Sequence, residues 1–160
     1  MASGLNYSQI DNMSSMDVII NNSRVRATVT NPLGVNYIDG FGTPASMTSG
    51  TALTFTSANL LTGIIVANPT AAIAATFPTA ALLVAAVNAN TAGAVVGDYV
   101  TCLVINGNAT NALTLTAGSG GTFDANQASG SQAISAGSSK YIFMRLTNVT
   151  AGSEAYVIYS

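Results

Sequence analysis

Six side chains in this sequence could work as general acids or bases: Asp11, Asp17, Asp39, Asp98, Asp124 and Glu154. A glycosidase-type mechanism needs two carboxyl groups set across one bond, and these six are scattered singly with no paired spacing. The chain has no histidine, so the commonest general base, zinc ligand and organiser of a serine triad is missing. Cys102 is the single cysteine and sits in the apolar run 99–105, where a thiol behaves as a small hydrophobe. Without a histidine it lacks an activating base, and without a second cysteine it cannot form an intrachain disulfide. Turns and caps suit the carboxylates better: Asp98 follows Gly97 ahead of a strand, Asp39 stands in Ile38-Asp39-Gly40, and Asp124 lies in a Gly/Asn-rich loop. No Asp-x-Asp cluster marks a calcium loop. The expectation is a protein that is not an enzyme, with no catalytic residues, no metal ligands and no cofactor.

Other ligand classes fare no better. Arg24 and Arg26 form the only basic pair and share one face of a strand, but four basic residues and a net charge of −2 make no nucleic-acid footprint. A solvated strand face or an ion pair accounts for them. Gly118-Ser119-Gly120-Gly121 is the richest glycine cluster, yet no lysine follows it and no helical pattern begins after it, so a turn between strands is expected rather than a phosphate loop. The triplets Thr28-Val29-Thr30, Thr54-Phe55-Thr56 and Thr114-Leu115-Thr116 could order water from a flat sheet. They lack a fixed period, and strand alternation explains them. Asn108-Ala109-Thr110 and Asn148-Val149-Thr150 match a glycosylation acceptor, a pattern that arises readily by chance in a chain rich in Asn and Thr.

The elements that would position any site read as mostly β. Residues 17–20 and 24–30 form strand-like pieces around the turn-prone Asn21-Asn22-Ser23, predicting a hairpin. Residues 31–49 carry Pro32, Gly34, Gly40, Gly42 and Pro44 and read as a long surface loop. Residues 51–56 alternate, with Leu53 and Phe55 on one side. Residues 60–66 read as a buried strand closed by a turn at Asn68-Pro69, and residues 80–87 as one short helix capped by Thr79. Strands follow at 99–105, 112–116, 140–146 and 154–159. Their spacing predicts an all-β fold, an antiparallel β-sandwich or jelly-roll-like domain with one short helix. The texture changes at Asn59, dividing residues 1–59 (arm, hairpin and loop) from a β-sandwich domain at 60–160.

Charge is the outlying quantity. Of 160 residues, 49% are hydrophobic, ample for one core, but only 6% are charged, against about 25% in an average soluble protein. So weak a self-repulsion predicts a surface covered by copies of the chain or by a partner. In 140–146, Ile142, Met144 and Leu146 share one face while Tyr141, Phe143 and Arg145 share the other, so both faces call for cover. The most apolar stretch, 80–87, is too short to span a bilayer, and the polar residues 1–16 lack the pattern of a leader, so no membrane association is expected.

The second half carries a resemblance. Gly63-Ile64-Ile65-Val66, then Pro78-Thr79-Ala80-Ala81-Leu82-Leu83-Val84-Ala85-Ala86-Val87, Gly97-Asp98-Tyr99, Leu113-Thr114-Leu115-Thr116-Ala117-Gly118 and finally Leu146-Thr147-Asn148-Val149-Thr150-Ala151-Gly152-Ser153-Glu154-Ala155 resemble a module of tailed-bacteriophage and related viral structural proteins, the capsid-decorating and head-fibre or tail-fibre class. The resemblance covers about 60–160. It departs from the family pattern where Ala67-Asn68 replaces a charged pair, so an ion pair built there is absent. It implies a β-rich domain that forms a homotrimer, with residues 1–59 attaching to the major capsid protein. The function implied is that of a virion structural protein, a decoration or cement protein binding and stabilising the outer shell of a viral head. The alternative is a head- or tail-fibre domain binding a host receptor or glycan. The expected location is the capsid surface of the virion, after assembly in the host cytoplasm.

Overall fold

The computed structural model describes residues 43–91, 93–126 and 132–160 in full, and the backbone of strands at 17–20, 23–26 and 37–39. Strands β1 (Asp17–Ile20) and β2 (Ser23–Arg26) form an antiparallel pair, with Asp17 opposite Arg26, in a two-stranded sheet of their own. Strands β3 (Tyr37–Asp39) and β4 (Ala45–Ser49) lie within the span read as a long loop, and both join the largest sheet.

From β4 the chain winds in coils. Each coil lays one strand in a large sheet, turns a corner, lays a second in a small sheet, and the first two return through a helix. The first is β4, β5 (Ala52–Thr54) and α1 (Ser57–Leu61). The second is β6 (Ile64–Pro69), β7 (Ile73–Thr76) and α2 (Ala80–Asn90), and the third begins with β8 (Tyr99–Asn106) and β9 (Leu113–Thr116). Because each return brings the chain back in the same direction, β4, β6 and β8 pair in parallel, as do β5, β7 and β9. The remaining strands close the far side: β10 (Gly121–Phe123), β11 (Ala133–Ile134), β12 (Ser139–Asn148) and β13 (Ala155–Tyr159). The large sheet runs β10-β13-β12-β8-β6-β4 with β3 also beside β8, and the small sheet runs β11-β9-β7-β5.

Local chemistry explains both helices. Thr56 and Asn59 form a capping box: Thr56 Oγ1 accepts from Asn59 N–H at 3.1 Å, and Asn59 Oδ1 accepts from Thr56 N–H at 2.9 Å. Gly63, at φ +78°, then takes a left-handed turn open to glycine at little cost and starts β6. The apolar run 60–66 is therefore split, its first residues ending a helix and its last opening a strand. Helix α2 begins where predicted, on Thr79, whose hydroxyl accepts from Leu82 N–H at 3.3 Å, and runs on to Asn90.

Both sheets and both helices contribute to one core, and coil edges repeat within it. Phe55 follows β5 and Phe77 follows β7. Both are fully buried, with ring centroids 5.5 Å apart edge to face, a favoured aromatic geometry. At the opposite corner Asn106 has no exposed surface. Its amide nitrogen donates to the carbonyls of Asn111 (2.8 Å), Ile134 (3.1 Å) and Ser135 (3.2 Å), while its oxygen accepts from Asn108 N–H. One buried amide thus ties the corner of the third coil to β11. Tyr156 plays a similar part beneath α2, donating to Pro78 O at 2.8 Å and accepting from Gly118 N–H at 3.1 Å.

The expected all-β antiparallel sandwich or jelly roll with one short helix does not form. The fold is mixed α/β: parallel pairs run through both sheets beside the antiparallel pairs β8–β12, β12–β13 and β9–β11, with two helices among the described residues. Spacing of short strands suggests antiparallel neighbours only if consecutive strands pair. From β4 to β9 consecutive strands enter different sheets, so each strand's parallel neighbour is one coil away. Asn68-Pro69 also ends β6 itself, with Pro69 opposite Ser49, rather than forming the turn beyond it.

Candidate functional site

Among the described residues, Asp98, Asp124 and Glu154 stand in three separate turns. Asp124 Oδ1 accepts from Asn126 N–H and Glu154 Oε2 from Gly152 N–H, both at 2.9 Å, so each organises its own turn. Asp98 is completely buried and its Oδ2 accepts from Val95 N–H at 2.8 Å, shaping the loop that leads into β8. Among the described residues no three His, Cys, Asp or Glu side chains group as a metal site would. Asp11 and Thr28-Val29-Thr30 lie outside the described residues, and Asp17, Arg24, Arg26 and Asp39 are placed only as strand positions. Burial pushes the Cys102 thiol up to about 12 from 9.0 and leaves it 1% exposed, an inert core residue.

The glycine cluster has a structural role that its spacing does not reveal. Ser119 O accepts from Ala80 N–H at 2.8 Å, so this turn occupies the amino end of α2 with a backbone carbonyl. A side chain at Gly118 would meet the carbonyls of Phe77 and Pro78, so only glycine lets the two segments lie this close.

What the structure does bring together is uncovered surface. In β12, Ile142, Met144 and Leu146 are fully buried, so Tyr141, Phe143 and Arg145 project from the outer face of the large sheet. Tyr141 is 54% exposed and Phe143 44%, with ring centroids 5.6 Å apart. Register extends this face sideways: Leu103 lies opposite Tyr141 and Ile64 opposite Leu103, while Tyr159 lies opposite Phe143 and Val157 opposite Arg145. These flanking residues are half-buried, as are Ile105 and Val66 in the next row. The outermost strands carry exposed polar residues at the same level, Ser46 and Thr48 on β4 and Thr122 on β10. Covering the exposed half of either ring would remove about 100 Å² from water and contribute about 2–3 kcal/mol.

Two further faces complete the inventory. Helix α2 turns Leu83, Val84 and Val87 into the core, yet its exposed side also carries apolar residues, Ala81, Ala85 and Ala89 beside Leu82 at 60% exposure, with Asn88 and Asn90 as its exposed polar positions. On the small sheet, Thr54, Thr76 and Thr116 stand in register across three parallel strands, with Ala52, Ala74 and Thr114 in the adjacent row. The threonine ladder therefore forms although the triplets have no constant period, because the two helical returns differ in length. The signal that could have found it is the pair Thr54-Phe55-Thr56 and Thr76-Phe77-Pro78-Thr79, each a strand end, a core phenylalanine and an N-cap threonine.

Comparison with known protein families, curated proteins and solved structures found no match to this chain.

Proposed function

We propose that this chain is a structural protein of a virus particle, a decoration or cement protein that assembles with copies of itself and binds the major capsid protein on the outside of a viral head. The observation that carries the reading is uncovered apolar surface on a sheet face and on a helix, in a chain with almost no charge to keep it solvated. Contiguous exposed apolar patches larger than a few hundred Å² are uncommon on monomers and mark contact sites. The resemblance of 60–160 to viral decorating and fibre modules supports the same direction. Cement chemistry needs no reacting group; it needs burial of apolar area across several chains at once. On this reading the protein resides on the capsid surface of the virion.

The test is a count. Particles of the virus whose genome encodes this chain are purified through a density gradient, and the chain is quantified against the major capsid protein by mass spectrometry. A copy number in the hundreds, with particles that lose heat resistance when the gene is deleted, is the expected result. A handful of copies per particle turns the assignment to a fibre, and absence from the particle overturns the virion reading altogether.

A further inference from the structure

We propose that the outer face of the large sheet, centred on Tyr141 and Phe143, is the surface by which copies of this chain join one another. The inference rests on the assembling character proposed above but assigns the contact to one face and the occupant to a second copy.

Three observations lead there. The face has the anatomy of an interface: an apolar, aromatic centre on β6, β8, β12 and β13, and exposed Ser46, Thr48 and Thr122 on the edge strands around it. A surface meant for solvent on an open sheet alternates polar residues outward along every strand, and the central strands here do not. Its extent is also sufficient. Six strands at about 4.8 Å spacing and about five residues at about 3.3 Å give a projected area near 500 Å². Two such faces together then cover about 1,000 Å², the lower end for a specific contact.

Charge selects the occupant. Among the described residues of β6, β8, β12 and β13, Arg145 is the one fixed charge projecting from this face, and the single carboxylate at a neighbouring register position is Asp39 of β3, opposite Thr101. A foreign partner chosen by electrostatic complementarity would leave a pattern of charges here. A second copy needs none. Arg145 lies two residues along the strand from Phe143, so a symmetric contact about Phe143 places the two guanidinium groups on opposite sides, where they do not oppose each other. Twisted sheets of the same hand also stack on themselves in the aligned packing seen between sheets of one domain.

The experiment uses the full chain. Its mass is measured by light scattering at high micromolar concentration, alongside a Tyr141→Ser/Phe143→Ser double variant and a Leu82→Ser variant on the exposed side of α2. Integrity of each fold is read from Cys102, which must stay unreactive toward a thiol reagent. A natural chain at a multiple of 16.1 kDa, a double variant at 16.1 kDa and a Leu82→Ser variant still assembled are the expected results. A natural chain at 16.1 kDa, or a double variant that remains assembled, overturns the proposal, as does dissociation by Leu82→Ser alone. Should the double variant expose Cys102, hydroxyl-radical labelling of the natural chain decides instead: Tyr141 must become more reactive as dilution dissociates the assembly, and constant labelling overturns the assignment. A monomer that nevertheless coats particles defeats this inference alone, whereas an oligomer absent from particles defeats only the virion reading.

Discussion

Replacing Asn106 with alanine removes a side chain that no solvent can replace. Its amide supplies two N–H groups to three backbone carbonyls, at 2.8 to 3.2 Å, and its oxygen takes the Asn108 N–H. Each hydrogen bond contributes about 1 kcal/mol net, and a buried carbonyl left without a donor costs about 1–3 kcal/mol more. Ile134 O stands in a fully buried contact and has the least access to water. Together these predict a loss of about 3–5 kcal/mol for Asn106→Ala, or a fall in Tm on the order of 10 °C for a chain of this size. Asn106→Asp adds a sign. A carboxylate facing three carbonyl oxygens is disfavoured when ionised, so its folded-state pKa rises above the unfolded value, and the variant is least unstable in acid and worsens as pH climbs. Urea unfolding followed by circular dichroism at several pH values measures both variants. A loss below about 1 kcal/mol for Asn106→Ala, or an Asn106→Asp variant indifferent to pH, refutes the argument that this amide pins the coil corner to β11.

Four further outcomes follow from the same geometry. Tyr156→Phe loses the bonds to Pro78 O and Gly118 N–H and is expected to cost about 1–3 kcal/mol in denaturant unfolding; Gly118→Ala, which drives a methyl group into the Phe77 and Pro78 carbonyls, should cost about as much or more. Phe77→Ala empties a fully buried site beside Phe55 and should cost about 3–5 kcal/mol in the same assay. The Cys102 thiol, at 9.0 unfolded and about 12 folded, keeps its proton in the native state after the unfolded chain has lost it. Its contribution is fully present below pH 9.0 and declines as pH rises toward about 12. Thiol labelling near neutral pH should accordingly proceed at the rate of unfolding, and rapid labelling of the folded chain would count against burial of this residue.

Some of this molecule is written in short-range pattern. Thr79 ahead of an alanine- and leucine-rich run places α2, alternation of Leu53 and Phe55 places β5 on the core, and the two faces of 140–146 are legible in the sequence, including the exposed Tyr141 and Phe143. These signals depend on residues within a turn of helix or a few strand positions, where capping and side-chain alternation act directly. The small-residue strand Ile73–Thr76 carried no such signal, since alanines alternate with nothing, and the short α1 was hidden because its apolar end runs straight into β6.

The composition by itself determined a chain with 6% charged residues, no histidine and one cysteine, from which a surface needing cover is an expectation. Tertiary structure alone decided the direction of pairing and the threonine ladder, and it alone showed that Asn106 is a buried tie. Alternation tells a strand which side faces inward but not which strand lies beside it. That neighbour is chosen by the path of the returning chain, through corners and helices of unequal length, and such long-range closure leaves no local period to read.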